Sequence, residues 1–145
     1  MIGKKIDGIE VSNAVKNILK NAVEKLKSEN VIPCLATILV GDNPASATYV
    51  KNKHKACEVV GIKTKDYKLS AEITQEQLND VIDKLNRDKE VHGILVQLPL
   101  PNQLDEFATV SSIFPIKDVD GLTPQNMGLL SMGKSILKPC TPSGI

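Results

Sequence analysis

Two short aliphatic runs, Leu35-Ala36-Thr37-Ile38-Leu39-Val40 and Gly93-Ile94-Leu95-Val96-Gln97-Leu98, do most to limit what this chain can fold into. Each is apolar almost throughout rather than alternating, and each is too short for a buried helix. The first is closed by Gly41, the second by Pro99-Leu100-Pro101, where proline cannot donate to a ladder. Such runs predict strands buried on both faces, as in a parallel sheet covered by helices.

The segments between and around them read as those helices. Val11, Ala14, Val15, Ile18, Leu19, Ala22, Val23 and Leu26 recur at helical spacing, predicting an amphipathic helix to about Ser28, with Pro33 after the break at Glu29-Asn30. Asp42-Asn43-Pro44 is a turn and a helix start, with Asp42 or Asn43 as cap, for a helix over Ala45 to Val60 that Gly61 ends. Ile62 to Leu69 reads as another strand. Thr74-Gln75-Glu76-Gln77 fits a capping box ahead of a helix whose apolar face is Leu78, Val81, Ile82 and Leu85. Strand, helix, strand, helix, strand with short connections gives an α/β class, a three-layer α/β/α architecture with a mainly parallel sheet. Ligands of such sheets bind beyond the carboxyl ends of the strands. That directs attention to the segment after Gly41, to Gln97, and to whichever loop returns between them.

Beyond Pro101 the pattern weakens. Asp105 to Ile113 and Pro124 to Leu130 read as short helices, with a charged turn-rich loop from Pro115 to Gly121. Thr141-Pro142 resembles a cap followed by proline at a first helical position, so a helix is expected to begin as the sequence stops, a sign of truncation.

Composition narrows the function classes. A chain of 145 residues suits one domain, or one and the start of another; near that length about 70% of the unfolded surface is buried. Lys+Arg is 18 against Asp+Glu 17, a net charge of +1, which asks for neither nucleic acid nor a membrane surface. Two Phe, two Tyr and no Trp do not make a base-stacking platform. No apolar stretch approaches the ~20 residues of a membrane helix. The charged Met1 to Gly8 stretch is no signal peptide, so a cytoplasmic protein is expected. Cys34, Cys57 and Cys140 form no C-x-x-C pair and are expected as reduced, buried thiols.

Three places can carry chemistry. Tyr49 and Lys53 stand four apart on the helix that leaves the first strand, so they share a face near the sheet's carboxyl end. A lysine there could transfer protons if burial lowered its pKa; the bland alternative is one more solvated lysine beside Lys51 and Lys55. Gln97 is a carboxamide ending a buried strand and needs partners, either a ligand or the backbone of the proline loop. Asp118-Val119-Asp120-Gly121 puts two carboxylates on one side if extended; ordinary turn chemistry is the competing account, and a metal site is poorly supported. His54 reads as a polar helix residue and His92 as a residue at the amino end of the last strand. No G-x-G-x-x-G and no Walker sequence is present, and Gly41-Asp42-Asn43-Pro44 is no phosphate loop.

Taken together, Val40-Gly41-Asp42-Asn43-Pro44-Ala45-Ser46 with Tyr49-Val50-Lys51-Asn52-Lys53, Gly93 to Pro101, Lys117-Asp118-Val119-Asp120-Gly121, and Pro139-Cys140-Thr141-Pro142-Ser143-Gly144 resemble, in order and spacing, the bifunctional methylenetetrahydrofolate dehydrogenase/cyclohydrolases. The resemblance covers essentially the whole chain and implies the first domain of a two-domain family. Residues 1–138 would be the folate-binding catalytic domain, and 139–145 the start of the helix leading to a Rossmann domain that is absent here. It implies oxidation of 5,10-methylenetetrahydrofolate with a nicotinamide cofactor, usually NADP, then hydrolysis of the 5,10-methenyl product to 10-formyltetrahydrofolate, in one-carbon metabolism that serves purine biosynthesis. Lys53 would be the catalytic lysine and Gln97 its assistant. Tyr49 would pack on the folate rings and Asp120 would hold the pterin. No cofactor-binding or metal-binding residue is implied in this chain. The parent would be a homodimer. A folate-binding module that does not turn over is the alternative, and Cys34 departs from the glycine common at its position.

Overall fold

The structure, a computed structural model, describes residues 7–143, so the charged stretch at the amino terminus lies almost entirely outside the described residues. The elements run α1 (Gly8–Ser28), β1 (Cys34–Val40), α2 (Pro44–Val60), β2 (Lys63–Leu69), α3 (Gln75–Arg87), β3 (Gly93–Val96), α4 (Glu106–Ser111), α5 (Pro124–Ser131) and α6 (Cys140–Ser143). The three strands are parallel in the order β2-β1-β3. Ala36 of β1 stands opposite Lys65 and Ile94, and Ile38 opposite Tyr67 and Val96.

The alternation of side chains along β1 separates the layers. Ala36, Ile38 and Val40 join Leu78, Ile82 and Leu85 of α3, with Ile94 and Val96 of β3, in one buried cluster. The intervening Thr37 is 1% exposed and meets His54 of α2 on the opposite face. Helices therefore cover both faces, and the expected α/β/α layering holds. The edge strand β2 carries Lys63, Lys65, Asp66 and Lys68, charges that discourage pairing with a further strand.

Helix ends follow local chemistry. Asn43, rather than Asp42, caps α2 by accepting from the N–H groups of Ala45 and Ser46, and Pro44 fills the first turn, where a missing N–H costs nothing. Gly61 ends α2 in the left-handed region at φ +84°, which a side chain would strain. Thr74 and Gln77 form the reciprocal capping box of α3.

Three expectations need correction. The third strand ends at Val96, not Leu98: the Gln97 N–H still donates to the Ile38 carbonyl, but a cis Leu98–Pro99 bond follows and the ladder stops. The last helix starts at Cys140, with the Ser143 N–H donating to the Pro139 carbonyl, so Thr141 is inside it rather than its cap. The cysteines are not all buried: Cys34 is, Cys57 is half-buried, and Cys140 is exposed, because α6 lies against the cleft described below and not in the core. Burial pushes the Cys34 and Cys57 thiols up. Among the described residues, no helix is long and apolar enough to cross a membrane.

Candidate functional site

Strand order defines where a ligand can sit. From the central β1 the chain crosses to β2 on one side, while β3 lies on the other, so the crevice beyond the carboxyl ends of β1 and β3 is the topological switch point. Gly41, at φ +78°, turns the chain out of β1 into the Asn43 cap, and α2 rises beside that crevice. Tyr49 and Lys53 stand one turn apart on it, and the Lys53 Nζ is 4.7 Å from the Tyr49 ring centroid, a cation–π distance. Tyr49 is 55% exposed, leaving much of its ring open to a planar ligand.

Gln97 follows β3 directly. Its Nε2 donates to the Leu98 carbonyl at 2.7 Å, so the backbone reading of this residue is half right. Its Oε1 is buried and has no partner among the described residues, a costly state for an amide oxygen that a ligand or a donor side chain relieves.

Asp120 comes from the loop between α4 and α5. Burial pushes its carboxyl up from the ordinary range, the nearby Lys53 opposes that push, and the Asp118 carboxylate adds to it. Tyr49, Lys53, Gln97 and Asp120 line one cleft of about 510 Å³ with Val96, Leu98, Leu122, Pro139 and Cys140. The four residues singled out in the sequence thus converge from three separate segments. The cleft has an apolar floor and a few polar groups, the usual makeup of a small-molecule site.

The two carboxylates of the 118–120 segment do not share a side. Asp118 forms an isolated parallel bridge with Ile94 of β3, and the chain turns at Val119 and Asp120, where the Asp118 carboxylate accepts from the N–H groups of Gly121 and Thr123. Asp118 is 2% exposed and has no place in the cleft lining. Sequence reading also missed Leu122, Pro139 and Cys140 as lining residues; their nearness to Lys53 is long-range, and only the P-C-T-P turn hinted at it. His54 does more than expected of a polar helix residue: its Nε2 lies 2.8 Å from Asp66 of β2 and 3.3 Å from the buried Thr37 hydroxyl, tying α2 to the sheet. His92 lies, as expected, at the amino end, in a second groove of about 430 Å³ with Cys34, Lys63, Lys65 and Glu90. Lys65 there is paired with Asp88 at 2.7 Å, and no set of three His, Cys, Asp or Glu that could hold a metal occurs among the described residues.

The fold and the cleft define an open parallel α/β domain whose switch-point crevice carries a lysine, an aspartate, an amide and an aromatic ring. The model of the tetrahydrofolate dehydrogenase/cyclohydrolase catalytic domain matches residues 6–120, and the chain belongs to that family. It is 66% identical over its full length to the bifunctional protein FolD of Nitrosopumilus maritimus, and covers 50% of that relative. Among solved structures, the FolD enzyme of Campylobacter jejuni is 51% identical with TM-score 0.92, covering 95% of this chain and 49% of the other. The Trypanosoma brucei enzyme, crystallised with NADP cofactor and an inhibitor, is 37% identical with TM-score 0.92, covering 97% and 49%. The chain thus spans about half the length of the curated relatives it matches.

The described residues do not themselves fit a dinucleotide. The β1–α2 turn has a single glycine, Pro44 removes one N–H from the helix start, and Ala71 already stands 3.4 Å from where a Gly41 Cβ would be. That is no cradle for a pyrophosphate.

Proposed function

We propose that this chain is the folate-binding, catalytic-lysine part of a bifunctional enzyme of one-carbon metabolism. The whole protein would oxidise 5,10-methylenetetrahydrofolate to 5,10-methenyltetrahydrofolate with NADP, held by residues other than these, and hydrolyse the product to 10-formyltetrahydrofolate, which supplies purine biosynthesis. The convergence of Tyr49, Lys53, Gln97 and Asp120 on one cleft carries the reading. Residues 1–138 would form the domain and 139–145 its exit toward a dinucleotide-binding domain. A cytoplasmic homodimer is the assembly proposed.

In this reading Tyr49 offers a flat face to the folate rings, and Asp120 accepts two hydrogen bonds from the amino-pyrimidinone edge of the pterin, a planar match for a carboxylate. The methenyl group is a cation, so an ammonium beside it is repelled and the neutral amine of Lys53 is the productive form. Water bonds through its oxygen to the bridging carbon while Lys53 takes one of its protons. The added oxygen then forms the C=O bond as the bond from that carbon to N5 breaks; N5 keeps the electron pair and takes up the proton that the hydroxyl gives up, Lys53 releases the first proton to solvent, and the formyl group stays on N10. The buried Oε1 of Gln97, which has no partner among the described residues, would be the acceptor for the Lys53 amine during the reaction, without adding charge.

The test is spectrophotometric hydrolysis of 5,10-methenyltetrahydrofolate by the 145-residue chain, with the uncatalysed rate subtracted and Lys53→Ala as control. Hydrolysis that disappears in Lys53→Ala is expected. Undiminished hydrolysis in that variant removes Lys53 from the mechanism. Folate binding without hydrolysis makes the chain a binding module that needs the rest of the protein to react, and no binding overturns the folate reading.

A further inference from the structure

Asp118 lies two residues before Asp120 and is buried where a lone carboxylate is expensive. Its two oxygens are nevertheless fully engaged. The Gly121 N–H donates to Oδ1 at 2.9 Å, and the Thr123 N–H and the Asn126 Nδ2 donate to Oδ2 at 2.7 and 2.9 Å. Asn126 also donates to the Pro115 carbonyl at 2.9 Å, so one amide joins the start of the loop to the carboxylate at its centre. Burial pushes the Asp118 carboxyl up, but these donors outweigh it and hold the group below the usual range.

The other side of the loop is fastened independently. The Lys117 Nζ donates to the carbonyls of Leu85 and Asp88 at the end of α3, at 2.9 and 2.7 Å, and the Lys117 carbonyl accepts from the Ile94 N–H of β3 at 2.7 Å. Val119 packs against Gly93, where a Cβ would come within 2.5 Å of it. Asp120 itself has no hydrogen bond to its carboxylate among those described, so its position depends on the backbone on either side.

From this geometry we infer that Asp118 is the positioning residue of the folate site: its carboxylate gathers Gly121, Thr123 and Asn126 so that the intervening Asp120 is presented to the cleft. The inference deepens the proposed function and rests on it for the ligand. Asp118 touches no substrate; it acts through Asp120, by removing the entropy that a free six-residue turn would otherwise lose on binding.

The test measures tetrahydrofolate dissociation constants for wild type, Asp118→Ala, Asp118→Asn, Asp120→Ala and the Asp118→Ala/Asp120→Ala pair. Asp118→Ala is expected to weaken binding about ten- to a hundredfold, as Asp120→Ala does. The double variant is expected to bind no worse than Asp120→Ala alone, because the two act as one unit. Asp118→Asn, which keeps one carbonyl acceptor, recovers part of the loss. Additive losses, or a wild-type constant in Asp118→Ala, overturn the inference. Should Asp118→Ala not fold, Asn126→Ala removes one donor and leaves the carboxylate; a loss of several-fold is expected, and none overturns the proposal. A crystal structure of ligand-free Asp118→Ala keeps the two readings apart. With Asp120 still lining the cleft, Asp118 is not a positioning residue whatever the chain binds; with Asp120 displaced in a chain that binds no folate, it is the folate reading that fails.

Discussion

Asp120 is a carboxylate that folding makes a poorer anion, and that cost has two measurable consequences. Because burial raises its folded value above the unfolded one, its contribution to stability is unfavourable above that raised value and vanishes below about pH 4, where the unfolded aspartate is protonated too. Asp120→Asn should therefore melt slightly higher than wild type at pH 7, the gain disappearing on acidification. Its affinity follows the same titration. Tetrahydrofolate binding should weaken as pH falls through a value above the ordinary aspartate range, and Asp120→Ala, which loses about 1.5–3 kcal/mol of charge-assisted contacts, should show no such pH dependence. Thermal melts and isothermal titration between pH 4 and 8 read the two in turn. Asp118 has the opposite sign: its value is lowered, so its stabilisation is present above about pH 4 and is lost as pH falls through the folded value. The gap in urea midpoint between wild type and Asp118→Asn should narrow below pH 4.

The elements hold the site through their ends rather than their middles. Asn43 and Gly41 aim α2 out of β1, and the capping box at Thr74 starts the helix whose far end receives Lys117. Thr74→Ala should cost about 1 kcal/mol by urea unfolding and leave folate affinity unchanged, since nothing at the start of α3 reaches the cleft. Gly93→Ala should behave differently. The added methyl meets the Val119 side chain at 2.5 Å, so either β3 or the Asp120 loop must shift, at about 1–3 kcal/mol of overpacking. Folate affinity should fall with stability in that variant; an unchanged dissociation constant would show that the loop gives way without moving Asp120.

Across the molecule, burial is uneven. The cluster around β1 and α3 is deeply buried, whereas α1 packs chiefly on α2 and buries only Val23 among its residues. Ile9, Val11, Val15, Ile18, Leu19 and Leu26 remain exposed on a helix whose sequence is plainly amphipathic. Native-state hydrogen exchange should therefore open α1 at a lower free energy than β1, whose amides are bonded within the sheet between two covered faces. Equal protection of α1 and β1 in the isolated chain would mean that something covers that face.

Most of the architecture was legible because it is written in short-range signals. Aliphatic runs with proline or glycine stops, 3.6-residue periodicity, the Thr74–Gln77 box and Gly61 each act over a few residues, and each corresponds to an element or an end that the structure has. The pairing of Tyr49 with Lys53 was legible for the same reason, being one helical turn. The burial of a helix face was not, since amphipathicity says that a face is apolar and not what lies against it, as α1 shows. Nor was the division of labour between Asp118 and Asp120. Two carboxylates at alternating positions look alike in a sequence, and only the fold decided which would be enclosed by Gly121, Thr123 and Asn126 and which would face Lys53. Local chemistry determined the strands, the helices and most of their ends. The cleft itself was decided by strand order, because β1 in the centre brings residues from three distant segments to one crevice, and no local interaction encodes that meeting.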